Sequence, residues 1–366
     1  MNNDKKLINK LWKKAENILY SLYGDMPDLR ILNRFYSEKM AYKDSDVIII
    51  WDLVGKICCH AVSLKHFARG SGNLGSCFTA YLLGATENNP LPLHYHCKKC
   101  GRTEFADKSK ALPFDLPTKP CICGEVMHPD GFDIPYEMNM VNLCAHRLSL
   151  VVSSGFLSEA KRMVSEHPSI TVVPYSFLDG IENLLGSKNV DFHEVQASIN
   201  KKSPLYERMM ETFSQGKTDG IANFDLQKEG FASMKEALRL AKPKTTYDIL
   251  KLLSALHGTG TWTNNAERLV ENGVGISDIP TSRDDLFVVL RDSLRHTGFN
   301  DTGLAFELTE KIRYGRIDVN SRLILSSLDL PEWFVPYVEK IQYMFPKSHS
   351  VSYLREALIF MSLLLA

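Results

Sequence analysis

The sequence has no net charge and no long uninterrupted apolar run. Its 366 residues include 43 Lys+Arg and 43 Asp+Glu, so the formal net charge is zero. This balance argues against a protein that holds nucleic acid mainly through a large basic surface, although a local basic patch would leave the total unchanged. The first twenty residues are amphipathic, unlike a signal peptide, and the uncharged part of the C-terminal segment is too short to span a bilayer. We therefore expect a cytoplasmic protein that makes no membrane contact.

Internal repeats and low-complexity segments are also absent. Apolar residues recur at helical spacing over residues 5–23, which predicts an amphipathic helix. Further helical patterns cover about 28–41 and 45–67, and the second is apolar enough to be buried. Beyond residue 201 the pattern predicts short helices joined by Gly, Pro and Asn turns.

Strand patterns are confined to the middle of the chain. Three segments rich in β-branched residues, at 148–154, 169–176 and 189–197, predict strands of a small α/β layer. Residues 85–137 differ from both neighbours, because they are rich in proline and cysteine and poor in periodicity. The sequence thus predicts an α+β, mostly α-helical fold in four parts: 1–84, 85–137, 138–200 and 201–366.

Cysteines fall into two groups. Four lie in apolar surroundings, as expected of buried core thiols: Cys58, Cys59, Cys77 and Cys144. The other four are clustered: Cys97, Cys100, Cys121 and Cys123. In a cytosolic chain such a cluster favours a metal site over disulfides.

The clustered cysteines form two pairs separated by a loop of zinc-ribbon length. Cys97-x-x-Cys100 has the usual knuckle spacing, whereas Cys121-x-Cys123 is one residue shorter. We expect one structural zinc in a closed four-ligand site, and the alternative is four unligated thiols. Three nearby residues are candidate replacement ligands if the short pair cannot enclose the ion: His94, His96 and His128.

The amino-acid sequence around this cluster resembles that of a known family. "RGSGNLGSCFTAYLLGATENNPLPLHYHCKKC" (69–100), "FDLPTKPCICG" (114–124) and "DGFDIPYE" (130–137) resemble the palm of PolC-type DNA polymerase III, the replicative α subunit of low-GC Gram-positive bacteria. The segments 242–273, 303–315 and 331–354 resemble its fingers. The similarity runs in order from about residue 15 to the last residue and covers the palm and fingers of a much longer enzyme.

The resemblance implies a polymerase palm with a small mixed sheet and a zinc-ribbon insertion, followed by an all-α fingers domain. Such enzymes use two divalent ions held by aspartates, two of them in an Asp-x-Asp strand shortly after the DGxDIPxE motif. Here no Asp or Glu occurs between Glu137 and Glu159, and the Leu-x-Leu-Asp expected after 190–194 is missing. The family's His-Pro-Gly-Gly is reduced to His-Pro-Ser-Ile at 167–170. We therefore predict no catalytic residues and no primer extension by this chain alone.

The nucleotide-binding side of the resemblance is retained. A glycine turn that feeds a helix start predicts a phosphate cradle, in which exposed amides and a guanidinium hold a triphosphate. Its residues are Arg69, Gly70, Ser71, Gly75 and Ser76. In the fingers the resemblance adds His257, Lys347, His349 and Tyr353. Without the resemblance, these segments would be an ordinary turn and an ordinary amphipathic helix.

Three functions remain open. The first is a catalytically silent paralog that binds nucleotide, DNA or a replication protein. The second is a residual DNA polymerase with replacement carboxylates, and the third is a decayed or mobile-element protein that acts only by protein contact. Mg²⁺ is expected only together with a nucleotide, and the apolar C-terminal helix is expected to pack back on the fingers or to mediate self-association.

Overall fold

The computed structural model describes residues 2–43, 45–108, 110–137, 148–201, 203–217, 234–298 and 301–365. Contacts divide the chain into two compact units. Unit 1 consists of Met1–Tyr206 and Arg355–Ala366, and unit 2 consists of Glu207–Leu354.

Unit 1 begins with three helices: α1 (Asn2–Tyr23), α2 (Leu29–Tyr42) and α3 (Val47–Ser63). They confirm the three helical patterns predicted over this region. Most of the apolar stripe of α1 is buried, and α3 buries Ile48, Trp51, Val54, Ile57, Cys58 and Ala61. Cys59 is exposed, so its prediction as a core thiol is wrong, because it lies on the solvent side of α3; Cys58 and Cys77 are buried as predicted. Cys144 lies outside the described residues. The Asp28 carboxylate caps α2 by accepting from the Arg30 amide at 2.8 Å.

The described part of unit 1 also contains short strands in two sheets. They are β1 (Ala68–Ser71), β2 (His94–His96), β3 (Thr103–Phe105), β4 (Lys119–Pro120), β5 (Val126–Asp130), β6 (Leu148–Val152) and β7 (Ile170–Pro174). One sheet has the order β1-β6-β7, in which β1 runs antiparallel to β6 and β7 runs parallel to it. The strands predicted at 148–154 and 169–176 are therefore confirmed.

The second sheet is built entirely from the cysteine-bearing insertion. Its order is β3-β2-β5-β4, and all its pairs are antiparallel. The two ends of the insertion are joined by backbone hydrogen bonds, in which the amides of Phe132 and Asp133 donate to the carbonyls of Asn89 and Leu91, both at 2.9 Å. The insertion thus leaves and rejoins the body of unit 1 at one place.

The third predicted strand, at 189–197, is wrong. α6 (Ser176–Lys188) ends at Asn189, which adopts the left-handed conformation (φ 51°) that asparagine tolerates at helix ends. The chain then forms α7 (Phe192–Ser198), whose first turn is capped by the Asp191 carboxylate accepting from the Glu194 amide at 3.3 Å. Local capping on both sides outweighed the β-branched content of this short segment.

The remaining helices of unit 1 are α4 (Phe78–Leu82), which follows the 3₁₀ turn Gly72–Ser76, and α5 (Leu157–Met163), which links β6 to β7. Two helices run across the division between the units: α8 (Pro204–Ser214) and α16 (Lys347–Leu365). The part of α16 that belongs to unit 1 is buried, and its Phe360 ring lies 4.9 Å from that of Phe177. Most of the apolar residues in these C-terminal turns are therefore buried, while Leu364 is exposed.

The regular secondary structure described in unit 2 is helical, apart from an isolated bridge between Thr259 and Tyr343, as predicted for the segment after residue 201. Its helices are α9 (Met234–Ala241), α10 (Thr246–His257), α11 (Glu267–Glu271), α12 (Arg283–His296), α13 (Thr302–Arg313), α14 (Val319–Ser327) and α15 (Phe334–Glu339). α10 begins with a capping box between Thr245 and Asp248, and apolar residues of α10, α12, α13 and α15 are buried. The molecule is thus mostly helical with small mixed sheets, as predicted. None of the described helices combines the length and the apolar character that a membrane crossing requires.

Candidate functional site

The four clustered cysteines converge in the insertion. All four Sγ atoms lie within 4.8 Å of one another, with Cys97 and Cys123 separated by 3.5 Å and Cys100 and Cys121 by 3.6 Å. Sulfurs around a tetrahedral zinc lie about 3.8 Å apart, given Zn–S lengths of about 2.3 Å. The donor set therefore fits one metal ion, and it leaves no position for water or substrate.

Each cysteine pair is folded by a glycine with positive φ. The Gly101 amide donates to the Cys97 carbonyl at 2.9 Å, and the Gly124 amide donates to the Cys121 carbonyl at 3.0 Å. These residues have φ of 72° and 87°, which glycine adopts without strain. The shorter Cys121-x-Cys123 pair thus closes its turn in the same way as the longer pair.

The local backbone favours a thiolate at Cys97. Amides of Cys100 and, to a smaller extent, Lys99 point at the Cys97 sulfur and lower the pKa of that thiol to about 6. At Cys121 the amide of Cys123 acts in the same direction, but burial and hydrogen bonds with the other three thiols raise the pKa to about 12. The nearby histidines are not part of this ligand group, which contains only sulfur among the described residues. His94 bonds the Pro92 carbonyl through Nδ1 at 2.7 Å, and burial lowers the pKa of His96 to about 4.

The residues of the glycine-rich segment at the end of β1 and in the turn after it make close contacts with the protein itself. A Cβ on Gly70 would lie 2.7 Å from the Ala85 carbonyl oxygen, and the Gly70 amide donates to that same oxygen at 2.9 Å. Ser76 is fully buried and donates from Oγ to the Asn73 carbonyl at 2.7 Å. Ser71, at the end of β1, is half-buried.

A buried carboxylate occupies the helix start that follows this turn. Glu38 of α2 accepts from the amides of Phe78 and Thr79, both at 2.8 Å, and from the Thr79 hydroxyl at 3.0 Å. Arg34 pairs with the same carboxylate at 2.7 Å and also donates to the Ser76 carbonyl. The amides expected to face a phosphate are thus already bonded to protein. Glu38 gave no signal in the sequence, since it lies forty residues before them on another helix.

Arg69 is also engaged by an acid. Its Nε donates to the Glu356 carboxylate from the C-terminal part of α16, and both side chains are largely buried. A phosphate approaching Arg69 would have to compete with Glu356. The pairing was not predicted, because the two residues are 287 positions apart.

The three-stranded sheet that carries Arg69 has no carboxylate on any strand. β1 reads ARGS, β6 reads LSLVV and β7 reads ITVVP. Asn139 and Asn142, the amides nearest to the expected Asp-x-Asp position, lie outside the described residues. Asp133 is exposed at the exit of the insertion, in a left-handed conformation (φ 49°).

In unit 2, three of the four predicted nucleotide-binding residues come together. The His257 ring lies 5.2 Å from His349 and 5.1 Å from Tyr353. Phe345, which the sequence reasoning missed, stacks on His349 with centroids 4.6 Å apart. Burial lowers the pKa of His257 to about 4, so this imidazole is neutral at pH 7. Lys347 begins α16, and its amide donates to the Asp284 carboxylate at 2.7 Å.

Two residues of the segment 242–273, which resembles the fingers in sequence, have structural contacts or burial of their own. Asn265 donates from Nδ2 to the carbonyls of Gly260 at 2.7 Å and Tyr337 at 3.0 Å, and Trp262 is buried. The Asn265 contacts lie within unit 2 and join two of its backbone segments.

No protein-family model matches the chain. Curated relatives match it over most of its length. The DNA polymerase III PolC-type of Caldanaerobacter subterraneus subsp. tengcongensis is 23% identical over 443 residues, covering 91% of this chain and 31% of that protein. The protein of that name in Lacticaseibacillus paracasei is 24% identical over 450 residues, covering 93% of this chain and 31% of the relative. The Staphylococcus aureus (strain MW2) protein of that name is 23% identical, covering 91% and 30%.

The chain contains a PolC-like region. The resemblance drawn from its motifs is thereby confirmed at low identity and high coverage. The chain spans about a third of the length of the curated relatives it matches.

Proposed function

We propose that this PolC-like region binds a deoxynucleoside triphosphate or primed DNA and does not itself catalyse primer extension. The observation that carries the proposal is the absence of Asp and Glu from β1, β6 and β7. Phosphoryl transfer by two metal ions needs carboxylates, because Mg²⁺ prefers hard, charged oxygen ligands. Without them the largest electrostatic contribution to the reaction is lost, while binding of phosphates by cations and amides is unaffected.

In this proposal the three-stranded sheet corresponds to an eroded palm and unit 2 to the fingers. The parts 1–84, 85–137, 138–200 and 201–366 keep the roles given to them by the resemblance. Within unit 1, Arg69 and the turn containing Ser71 and Gly75 would contact phosphates. Within unit 2, the aromatic group around His349 would offer a separate stacking surface for a base. Mg²⁺ would enter only with the nucleotide.

We also propose that the four clustered cysteines hold one structural zinc. Their sulfur separations and the lowered pKa of Cys97 support this assignment. Zinc bound there would stabilise the insertion, and a closed set of four thiolates has no role in phosphoryl transfer.

A residual polymerase is the second candidate, with Asp133 and Glu137 as the acids nearest to the missing motif. The decisive assay is primer extension with purified protein, primed template, four nucleotides and Mg²⁺ or Mn²⁺. We expect no extension above that of a variant carrying Asp133→Ala and Glu137→Ala. Extension that disappears in this variant would falsify the silent assignment.

Nucleotide binding is tested by titration with a deoxynucleoside triphosphate at a stated salt concentration. Arg69→Ala should weaken binding about tenfold or more, because one charge-assisted contact contributes about 1.5–3 kcal/mol. Arg162→Ala, which removes an exposed arginine paired with Glu159, is the matched control. If the parent protein binds neither nucleotide nor DNA, the contact-only function takes the place of this proposal.

A further inference from the structure

The outer side of α1 carries a stripe of exposed lysines. Four of them fall within about 100° of the helix circumference and cover about 12 Å of its length: Lys6, Lys10, Lys13 and Lys14. The two acids of α1, Asp4 and Glu16, project outside this stripe at the same helical spacing. A chain without net charge can therefore still present a local cationic surface.

The acids beside the stripe lie deeper than the lysines that they pair with. Lys14 and Lys56 of α3 both pair with Asp52, at 2.6 Å and 2.7 Å, and the Asp52 side chain is only 5% exposed. Lys13 pairs with Glu16 at 3.1 Å, and the Glu16 side chain is 14% exposed against 67% for Lys13. The groups that face solvent are thus cationic, while the carboxylates lie beneath them.

The other two lysines of the stripe are not neutralised. Lys6 and Lys10 form no ion pair with an acid in the described part of the chain. Neither ammonium group would have to leave a protein partner in order to contact an anion. An anionic partner would therefore gain these contacts without breaking an existing pair.

The burial of α1 argues against a membrane as that anionic partner. A basic amphipathic helix binds a bilayer by inserting its apolar side, and the apolar side of α1 is already buried within the protein. Its large apolar residues that remain exposed are Leu7 and Leu22, which lie about four turns apart.

The stripe also lacks the rings that bind unpaired bases. Sites for single-stranded nucleic acid interleave cations with exposed aromatic side chains, on which the bases stack. Within residues 6–14 the aromatic residue is Trp12, and it is buried. Lysines without rings suit a regular row of phosphates, as the backbone of a duplex provides.

We propose that the lysine stripe of α1 binds the phosphate backbone of duplex DNA without regard to its base sequence. The inference deepens the proposed DNA binding and rests on it. It adds a surface on α1 to the proposed phosphate contacts of Arg69, a largely buried residue of β1. Each lysine that contacts a phosphate releases a condensed counterion, so binding through the stripe should weaken steeply as salt is added.

The test measures how the affinity of the full chain for DNA depends on salt. The probe is a covalently closed duplex, which has no primer terminus. Combining Lys6→Ala, Lys10→Ala and Lys13→Ala should lower the slope of log K against log salt by about three, since each lost phosphate contact lowers it by about one. Changing the same three residues to arginine keeps their charge and should keep the slope.

The matched control removes three exposed lysines that pair with no acid in the described part of the chain: Lys161→Ala, Lys188→Ala and Lys217→Ala. It makes the same change in net charge and should leave the slope unchanged. Lys14 is kept in every variant, because it pairs with the buried Asp52. Thermal unfolding of each variant checks the fold.

The outcomes separate this inference from the proposed function. The alanine variant should bind a deoxynucleoside triphosphate as the parent does. Equal slopes for this variant and the parent, or binding of primed but not of closed DNA, would overturn the inference and leave the proposed function in place. Failure to bind either DNA would refute the inference together with the DNA part of that function. Tighter binding to phosphatidylserine–phosphatidylcholine vesicles than to DNA would assign the stripe to a membrane surface instead.

Discussion

The cysteine insertion and the three-stranded sheet of unit 1 differ in the metal-ligating side chains that they carry. The insertion brings four soft thiolates to within 4.8 Å of one another. The sheet that carries Arg69 brings no hard carboxylate on any of its strands. Thiolates in a closed tetrahedron suit a structural ion, whereas open carboxylate sites suit catalytic Mg²⁺. The described structure thus places a group of four thiols that could hold a metal in the insertion and no carboxylate on the strands of the three-stranded sheet.

The two regions also differ in the negatively charged groups that their backbone amides and cationic side chains contact. In the insertion, amides are aimed at a thiolate that can receive a metal ion. Beside the sheet, the amides of Phe78 and Thr79 and the Arg69 guanidinium are bonded to Glu38 and Glu356. Internal acids therefore sit where the resemblance predicts phosphate. The experiments below change one region at a time.

The largest effect is expected from Cys121→Ser. Loss of one buried thiolate should lower metal affinity by at least about 100-fold and reduce the metal content of purified protein from about one ion per chain to near zero. Elemental analysis and the absorption spectrum of the cobalt-substituted protein measure this. Cys59→Ser, at an exposed cysteine of α3, should keep the metal. Full metal occupancy in Cys121→Ser would remove the contrast between the two regions.

Glu38→Gln should have the next largest effect. The amide group would turn a donor toward one of the two backbone N–H groups and would leave Arg34 without its charged partner. Breaking a largely buried pair of this kind destabilises a protein by up to about 3–5 kcal/mol. Urea denaturation measures the change against Glu207→Gln, a control at an exposed position. A neutral result would indicate that the helix start is available to a ligand.

Glu356→Gln should have the smallest effect. Unlike Arg69→Ala, which should weaken binding of a deoxynucleoside triphosphate, it should strengthen that binding. Removing the acid that competes for Arg69 should tighten binding of a deoxynucleoside triphosphate several-fold. Calorimetric titration compares this variant with Glu307→Gln, which neutralises a mostly exposed acid of α13. Weaker or unchanged binding would separate Arg69 from the phosphate site.

The convergence of the four cysteines could be predicted from sequence because its determinants are local. Two cysteines three residues apart with a glycine behind them define a knuckle whatever surrounds it, and the same holds for the periodic apolar stripe of α1. The spacing of Cys121-x-Cys123 is one residue shorter than that of a usual knuckle. Its turn closes because the Gly124 amide donates to the Cys121 carbonyl.

The acids beside the glycine turn could not be predicted in this way. Glu38 and Glu356 reach it from distant helices, and neither carries a local pattern that distinguishes it from a surface acid. The failed strand at 189–197 has a different cause. Its few β-branched residues form a weak signal, and the left-handed Asn189 and the Asp191 cap decided the local conformation.

The joined ends of the insertion have a consequence for the order of folding. β1 and β6 must pair across a loop of roughly 75 residues, which is slow to close because its entropy is lost before the sheet contacts form. The hydrogen bonds from Phe132 and Asp133 back to Asn89 and Leu91 remove most of that length once the insertion has folded. Shortening the loop to roughly 30 residues lowers the closure cost by about 0.8 kcal/mol, or roughly fourfold in an equilibrium constant. A metal ion that stabilises the folded insertion would then raise the rate at which β1 pairs with β6, although the ion contacts neither strand. The rate of this pairing during refolding should therefore fall when a chelator is present.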